Sequence, residues 1–225
     1  MPAERFYIDA ELIGTLELEG AELHHLAHVM RIQVKEIVEL VNGRGALATA
    51  QVTALSRQRA TLTVLRAVQT PPPLSSLTLA IPFMRLSKLE WVIEKGTELG
   101  AGGFWLYPAA HSEKGGLSPH QLERLSHLAI AAMKQCGRLD LPLLKIILAF
   151  EELFKAPSPH LFGDTREGAK PLSFHETGTL ITGPEKGFSE RELEILEKRG
   201  EAVSLHKNIL RAETAPIVAL IQATH

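Results

Sequence analysis

This sequence has a single cysteine, almost no excess of charge of either sign and no long apolar run. Cys136 is the single cysteine in 225 residues, which excludes an intramolecular disulfide and favours a reducing compartment. The formal net charge is −2, so the chain lacks the overall basic surplus typical of nucleic-acid binding, and any polyanion must be held by a local patch. No apolar run reaches the roughly 18 residues of a membrane-spanning helix, and no apolar signal core follows Met1. We therefore expect a cytoplasmic protein that does not contact membranes.

The composition and length predict two globular domains. Hydrophobic residues make up 45% of the chain and charged residues 22%, which is enough apolar material to bury a core. A length of 225 residues exceeds the usual single domain of roughly 100–150 residues and falls short of three such domains. Three consecutive prolines within residues 70–76 predict a linker, because they remove backbone donors from any helix or sheet. We place the domains at 1–72 and 73–225.

The first domain carries the alternating, β-branched pattern of short strands. Turn formers separate the runs, and Asn42-Gly43-Arg44-Gly45 is typical of a hairpin. One helix interrupts the strands near Ala21, because Leu23, Leu26 and Met30 are spaced to share a face. We predict a small antiparallel sheet or barrel with strands at 6–8, 37–41, 48–52 and 60–65.

The second domain alternates strands with helices of ten residues or more. The strand patterns are at 77–82, 103–107, 144–148, 160–162, 179–182 and 202–205, and the helix patterns at 87–99, 119–136, 189–199 and 211–223. This alternation predicts an α/β domain in which helices cover both faces of a parallel sheet. Ligands of such sheets bind beyond the carboxyl ends of the strands, so the loops there are candidate sites.

The most informative loop follows the predicted strand at 179–182. It leads into a helix that begins with Ser189, and Glu192 three residues later completes the pattern of a capping box. Gly183 and Gly187 would let backbone N–H groups approach a ligand. The carboxylate of Glu185 would repel phosphate and suits a ligand with positive charge or hydroxyl donors. A well-capped turn without a ligand is the alternative.

A second junction of this kind lies at 205–215, where a short strand passes through a polar turn into a helix. Arg211 stands in the predicted first helical turn, where a cation opposes the helix dipole unless it pairs with a carboxylate or meets an anion. Glu213 is the candidate partner. Arg211 therefore either fixes the turn through that pair or contacts an anionic group.

Basic residues near two other helix ends form a candidate polyanion-facing patch. Lys134 and Arg138 lie four residues apart on either side of Gly137, the predicted C-cap of the helix at 119–136. Arg85 and Lys88 lie near the start of the helix at 87–99. Each of these cations could instead be an ordinary solvated residue.

Three further features have mainly structural interpretations. Gly96 inside the helix at 87–99 costs about 1 kcal/mol relative to alanine, which predicts a close packing contact there. His24 and His28 are spaced to share a metal ion, but no further ligands accompany them, so we expect no metal site. Cys136 could be a nucleophile, although a lone cysteine is more often buried and inert.

Taken in order, these segments resemble the RsmE-type 16S ribosomal RNA methyltransferases of the SPOUT superfamily, which methylate N3 of a uridine, position 1498, in the small-subunit RNA. Six ordered blocks carry the resemblance over nearly the whole chain. They are His24-His25-Leu26 through Met30-Arg31, Glu36-Ile37-Val38-Glu39-Leu40 with Asn42-Gly43-Arg44-Gly45, Lys95-Gly96-Thr97-Glu98-Leu99-Gly100, Gln135-Cys136-Gly137-Arg138, Gly183-Pro184-Glu185, and Ile209-Leu210-Arg211-Ala212-Glu213-Thr214-Ala215.

The resemblance implies an N-terminal PUA-like β-barrel that binds RNA, a C-terminal parallel-sheet α/β domain with a trefoil knot, and a homodimer. It also implies S-adenosylmethionine as the cofactor, bound in the knot. The cofactor contacts carry over to Thr182, Gly183, Pro184, Glu185, Gly187, Leu205, Ile209 and Leu210. Arg211 and Arg138 match the family's arginines near the substrate. The residues expected to face 16S ribosomal RNA in the small ribosomal subunit are His25, Arg31, Arg85, Lys88 and Lys134.

The chain departs from the family pattern at several positions. Lys186 and His206 stand where the family usually has glycine, and they add bulk beside the proposed cofactor loop. Ala212 replaces threonine, Lys134 replaces glutamate and Cys136 replaces serine. Two alternatives stay open: a related knotted methyltransferase that acts on another RNA, and a catalytically silent RNA-binding or ribosome-assembly factor. A dinucleotide-dependent oxidoreductase is disfavoured, because no strand leads into a G-x-G-x-x-G turn.

Overall fold

The computed structural model describes residues 4–71, 73 and 76–224, which divide into two compact units. The first unit is Met1–Pro72 with Met133–Leu141, and the second is Pro73–Ala132 with Pro142–His225. Within the predicted linker, residues 72, 74 and 75 lie outside the described part of the chain. Residues 133–141 comprise the last turn of the long helix Pro119–Cys136 and the segment after it, and they belong to the first unit, so the second unit is interrupted in sequence.

The first unit is built on a five-stranded mixed sheet. Its strands are β1 (Arg5–Tyr7), β2 (Thr15–Leu18), β3 (Ile37–Val41), β4 (Ala46–Leu55) and β5 (Ala60–Gln69), in the order β1-β3-β4-β5-β2. The pair β1 and β3 is parallel, and the other three pairs are antiparallel. Residues 42–45 connect β3 to β4 as the predicted hairpin. The alternation in the sequence therefore places one face of each long strand in the core.

The helical segment of the first unit closes one side of this core. Helix α1 (Gly20–His24) continues directly into a π-helical turn, His25–Val29. Leu23 and Leu26 are buried and pack in the same cluster as the sheet residues. The predicted helix near Ala21 is therefore present, and its second half is wound more loosely than an α-helix.

Residues 133–141 are held to the first unit by main-chain and side-chain hydrogen bonds. The Arg5 guanidinium donates to the Gly137 carbonyl at 2.7 Å. The Gly45 amide donates to the Leu139 carbonyl, and the Leu141 amide donates to the Gly43 carbonyl, both at 2.8 Å. Gly137 has φ +87°, as expected of the predicted C-cap.

The second unit is a seven-stranded sheet in which every described pairing is parallel. Its strands are β6 (Ser76–Pro82), β7 (Gly103–Tyr107), β8 (Leu143–Ile146), β9 (His160–Gly163), β10 (Lys170–Pro171), β11 (Thr177–Ile181) and β12 (Glu201–Ser204), in the order β10-β12-β9-β11-β6-β7-β8. The helices are α2 (Leu86–Glu98), α3 (Pro119–Cys136), α4 (Glu190–Arg199) and α5 (Thr214–Thr224), with a 3-10 turn at Phe150–Lys155. The predicted parallel sheet is confirmed.

The helix boundaries follow local capping signals with one exception. Helix α3 has the predicted bounds, and α4 begins after Ser189 with the predicted capping box. The predicted start of the last helix at residue 211 is wrong, because the Arg211 carbonyl accepts the first helical hydrogen bonds, from Thr214 at 2.9 Å and Ala215 at 3.0 Å. No helix within the described ranges is long and apolar enough to cross a membrane.

Gly96 makes the close contact that its position in a helix predicts. A Cβ atom at this residue would lie 2.6 Å from Cε1 of Phe104 on β7 and 3.3 Å from Cδ1 of Leu79 on β6. We expect Gly96→Ala to lower the free energy of unfolding by about 1–3 kcal/mol through overpacking, measured by chemical denaturation. Gly115→Ala is the matched control, because its Cβ would meet no atom within 4 Å. Equal stability of the two variants would contradict this packing account.

Candidate active site

A cleft of about 380 Å³ opens at the carboxyl ends of β9, β11 and β12. Its walls are the loops at 163–166, 182–188 and 205–210, with side chains of α4 and α5 behind them. Parallel sheets bind ligands at this edge, and small-molecule sites have volumes of roughly 300–1,000 Å³. The cleft therefore has the location and size of a small-molecule site.

All eight residues predicted to contact the cofactor line this cleft. They are Thr182, Gly183, Pro184, Glu185, Gly187, Leu205, Ile209 and Leu210. The loop at 163–166, which was not predicted from the sequence, contributes Asp164 and Arg166 to the wall. Asp164 accepts hydrogen bonds from Arg166, which lowers the pKa of this carboxyl. A signal for this loop was present, because polar residues follow the strand at 160–162 as they do at the other two strand ends.

Buried hydrogen bonds fix the loop between β11 and α4 at its start. The Tyr107 hydroxyl donates to the Thr182 carbonyl at 2.7 Å, and burial raises the pKa of this tyrosine well above its usual value. Gly183 faces the ring of Phe188, where a Cβ atom would lie 3.1 Å from Cε2. Gly187 has φ +77°, which favours glycine. Gly183 is thus required because a larger side chain would contact Phe188 too closely, and Gly187 because of its positive φ.

The other end of this loop is fixed by Glu192. Its carboxylate accepts the Ser189 amide at 2.8 Å and the Ala110 amide at 2.7 Å. The side chain is buried, with 6% of the residue exposed. His111, next to Ala110, has Nδ1 3.0 Å from the Gly187 carbonyl. The loop between β7 and α3 therefore stabilises the cleft loop through the contacts of Ala110 and His111.

The loop between β12 and α5 presents apolar and cationic side chains. Ile209 lines the cleft and is 86% exposed. Nδ1 of His206 accepts the Asn208 amide at 3.0 Å, which leaves Nε2 as the protonated nitrogen of the neutral ring. Arg211 is exposed, and among the described residues no carboxylate lies within ion-pair distance of it.

The candidate Arg211–Glu213 pair is not formed. Glu213 pairs with Lys88 at 3.5 Å, and Nζ of Lys88 also contacts Glu113 at 3.1 Å and Glu185. The hydrogen bond to Glu185 raises the pKa of Lys88. Lys88 is therefore held inside a group of carboxylates rather than presented as a free cation.

The remaining basic candidates have varied surroundings. The Arg85 side chain is 72% exposed, and its Nε lies 3.8 Å from Glu113. In the first unit, Lys134 pairs with Glu22 at 2.5 Å, Arg138 pairs with Asp140, and Arg31 is exposed with φ +57°. The ring of His25 lies 5.6 Å from that of Phe6. The two arginines predicted near the substrate thus belong to different units, Arg211 to the second and Arg138 to the first.

Comparison with known proteins decides the family. A profile described as RNA methyltransferase domain matches residues 70–224, and one described as RNA methyltransferase PUA domain matches residues 18–65. The ribosomal RNA small subunit methyltransferase E of Synechocystis is 32% identical over 93% of this chain and 72% of the relative. The chain belongs to the RsmE-type RNA methyltransferases. A second RsmE-type relative, from Rickettsia conorii, is 29% identical and spans 99% of this chain and 95% of its own length.

Solved structures of RsmE-type and similar methyltransferases share the fold. The ribosomal RNA small subunit methyltransferase E of Neisseria gonorrhoeae, solved with S-adenosylmethionine, has a TM-score of 0.84 at 28% identity and covers 98% of this chain and 96% of its own. A methyltransferase from Legionella pneumophila, also solved with this cofactor, has a TM-score of 0.87 at 23% identity, covering 98% of this chain and 96% of its own. The predicted fold class is confirmed as a PUA-like domain followed by a parallel-sheet α/β domain of the SPOUT type. The trefoil knot and the homodimer stay predictions for this RsmE-type chain.

Proposed function

We propose that this protein transfers a methyl group from S-adenosylmethionine to N3 of uridine 1498 in the 16S RNA of the small ribosomal subunit, acting in the cytoplasm as a homodimer. One observation carries the proposal. In a chain of the RsmE-type family, eight residues expected to hold the cofactor meet in one cleft at the carboxyl ends of three parallel strands. The position of the methyl group and the RNA are inferred from the family.

The cleft suits S-adenosylmethionine in size and chemistry. Leu205, Ile209 and Leu210 offer apolar surface for a flat purine, and the glycine-bearing loop at 182–187 leaves backbone groups accessible for polar contacts. The Glu185 carboxylate suits the positive charges of the cofactor. When bound, this cofactor supplies a methyl group on a positively charged sulfur. The protein's task is then to place a nucleobase in line with that methyl group and to exclude water.

Arg211 is our first candidate for the residue that assists the base. It is exposed between Leu210 and Ala212, which both line the cleft. Uridine N3 loses its proton during methylation, so negative charge develops on the neighbouring uracil oxygens, and a guanidinium beside them would stabilise it. Arg138 is the second candidate. The base must leave any stack to enter the cleft.

RNA must also be held next to the cleft. Lys186 and His206 line the cleft and are exposed, as is Lys207 beside them. We therefore add these three residues to the proposed RNA-contacting set. Of the residues proposed from sequence, Arg31 and Arg85 are exposed cations, and His25 stays in the set. Lys88 and Lys134 are engaged by carboxylates, so we propose that they support the RNA surface indirectly.

The double variant Lys186→Ala with Lys207→Ala should weaken RNA binding and make it less sensitive to salt. For every phosphate that a lysine neutralises, its removal should reduce the slope of log affinity against log salt concentration by about 1. Fluorescence anisotropy with a small-subunit RNA fragment at several salt concentrations measures both quantities. Lys198→Ala, an exposed lysine on α4, is the control and should leave the slope unchanged. An unchanged slope in the double variant would remove these lysines from the RNA surface.

Cofactor binding separates the enzyme from the alternative of a silent RNA-binding factor. Calorimetric titration of the purified protein with S-adenosylmethionine should give one site per chain, and labelled cofactor should donate its methyl group to unmodified small subunits. Binding of RNA without cofactor binding or transfer would favour the silent factor. Transfer to transfer RNA in preference to small subunits would favour a knotted methyltransferase with another substrate.

A further inference from the structure

Carboxylates from three loops of the second unit converge on the ammonium group of Lys88. Lys88 lies in the first turn of α2, and its Nζ is 3.1 Å from Oε1 of Glu113, in the loop between β7 and α3. It also contacts Oε1 of Glu185, in the cleft loop between β11 and α4, and lies 3.5 Å from Oε2 of Glu213, just before α5. Lys88, on the helix that follows β6, therefore links the loops that follow β7, β11 and β12.

The charges in this group do not balance. Three carboxylates surround one ammonium, whose three N–H donors are its entire hydrogen-bonding capacity. Arg85 adds a more distant positive charge, with Nε 3.8 Å from Glu113. The side chain of Lys88 is 19% exposed and that of Glu213 is 17% exposed, so water screens these charges only in part. Loss of Lys88 would leave three carboxylates repelling one another beside the cleft.

The protonation of Glu113 depends on this arrangement. Burial favours the neutral form of its carboxyl, but hydrogen bonds from the Arg85 amide and the Lys88 ammonium outweigh burial and lower the pKa of Glu113. Glu113 thus stays charged and accepts a hydrogen bond from the Lys88 ammonium. Glu185 alone among the three carboxylates lines the cleft.

We propose that Lys88 is a positioning residue that holds the Glu185 carboxylate in the cleft loop and thereby sets the affinity for a positively charged cofactor. The inference rests on the proposed cofactor, S-adenosylmethionine. It assigns Lys88 a role different from direct contact with RNA, because a phosphate group would have to compete with two carboxylates that already accept hydrogen bonds from the Lys88 ammonium.

The test is calorimetric titration of S-adenosylmethionine into the full-length protein and its variants at several pH values. Lys88→Met should weaken cofactor binding by about 10-fold or more, because the carboxylates lose the charge that holds them together. Lys88→Arg should restore most of the affinity. Lys95→Met is the matched control, because Lys95 lies on the same helix and pairs with Glu94 and Glu98 away from the cleft. Its affinity should equal that of the wild type.

Two readouts distinguish positioning from loss of stability. In Lys88→Met, protonation of a carboxylate relieves repulsion, so affinity should partly recover as the pH falls from about 8 to 5.5, whereas the wild type should change little. The double variant Lys88→Met with Glu113→Gln should bind more tightly than Lys88→Met at neutral pH, because one repelling charge is removed. Thermal melting of each variant confirms that the proteins compared are folded.

Either of two results would overturn the inference. One is wild-type affinity in Lys88→Met, and the other is a loss of affinity that is equal at every pH and is not relieved by Glu113→Gln. Failure of the proposed function looks different, because the wild-type protein itself would then show no binding of S-adenosylmethionine.

Discussion

Replacement of Arg211 by alanine should slow methyl transfer at least ~100-fold, the usual loss when one group that stabilises developing charge is removed. Arg211 is exposed between two residues of the cleft wall, and within the described ranges it has no carboxylate partner. Its guanidinium is therefore available for the substrate. Cofactor affinity should be unchanged, because the backbone of Leu210 and Ala212 does not depend on this side chain.

Single-turnover transfer from labelled cofactor to unmodified small subunits measures the effect without interference from product release. Arg191→Ala is the control, because Arg191 is exposed on α4 and pairs with Glu151. Arg138→Ala tests the second candidate in the same assay. Full single-turnover methylation by Arg211→Ala would show that Arg211 does not stabilise the reacting base.

Filling the cleft with a bulky side chain should strongly weaken cofactor binding. Ala215 lies in the first turn of α5 and lines the cleft, so Ala215→Phe would place a ring in the volume assigned to the cofactor. We expect the dissociation constant of S-adenosylmethionine to rise by about 100-fold or more, because overlap with a bulky side chain removes both favourable interactions and space.

Calorimetry and thermal melting together check this prediction. Ile221→Phe is the matched control, because Ile221 lies on the same helix and is 41% exposed. It should bind the cofactor as the wild type does. Unchanged binding by Ala215→Phe would show that the cleft between the three loops is not the cofactor site.

Local signals account for the parts of the fold that could be predicted well from the sequence. Ser189 and Glu192 form the capping box expected from their spacing, and α3 ends before Gly137, whose positive φ only glycine adopts readily. The hairpin at 42–45 and the parallel sheet follow in the same way from turn residues and from the alternation of strands with helices. Each of these features depends on a few consecutive residues.

The features that could not be predicted depend on distant or weak signals. The contact of Lys88 with Glu185 joins residues 97 positions apart, and no local pattern marks it. Glu213 is the acidic residue nearest to Arg211 in sequence, but in the folded chain it pairs with Lys88 instead. Strand β10 is two residues long and contains Pro171, so its pattern falls below what periodicity can detect.

The site was predictable in part for a topological reason. The carboxyl ends of parallel strands share one edge of the sheet, so the two loops that glycine and charge mark in the sequence, after 179–182 and at 205–215, are expected to lie close together. The third loop of the cleft, at 163–166, has no helix immediately after it, so the strand-to-helix pattern does not mark it. The family resemblance supplied the cofactor and the RNA, which the residues alone indicated only as a cationic ligand and a polyanion.

The most direct test of the central claim is to incubate the protein with S-adenosylmethionine and small ribosomal subunits that lack the modification, then to map the methylated nucleotide by mass spectrometry. Our account predicts N3-methyluridine at position 1498 of the 16S RNA and no other new modification. A methyl group on a ribose hydroxyl or on another base, or no transfer by a protein that binds the RNA, would contradict it.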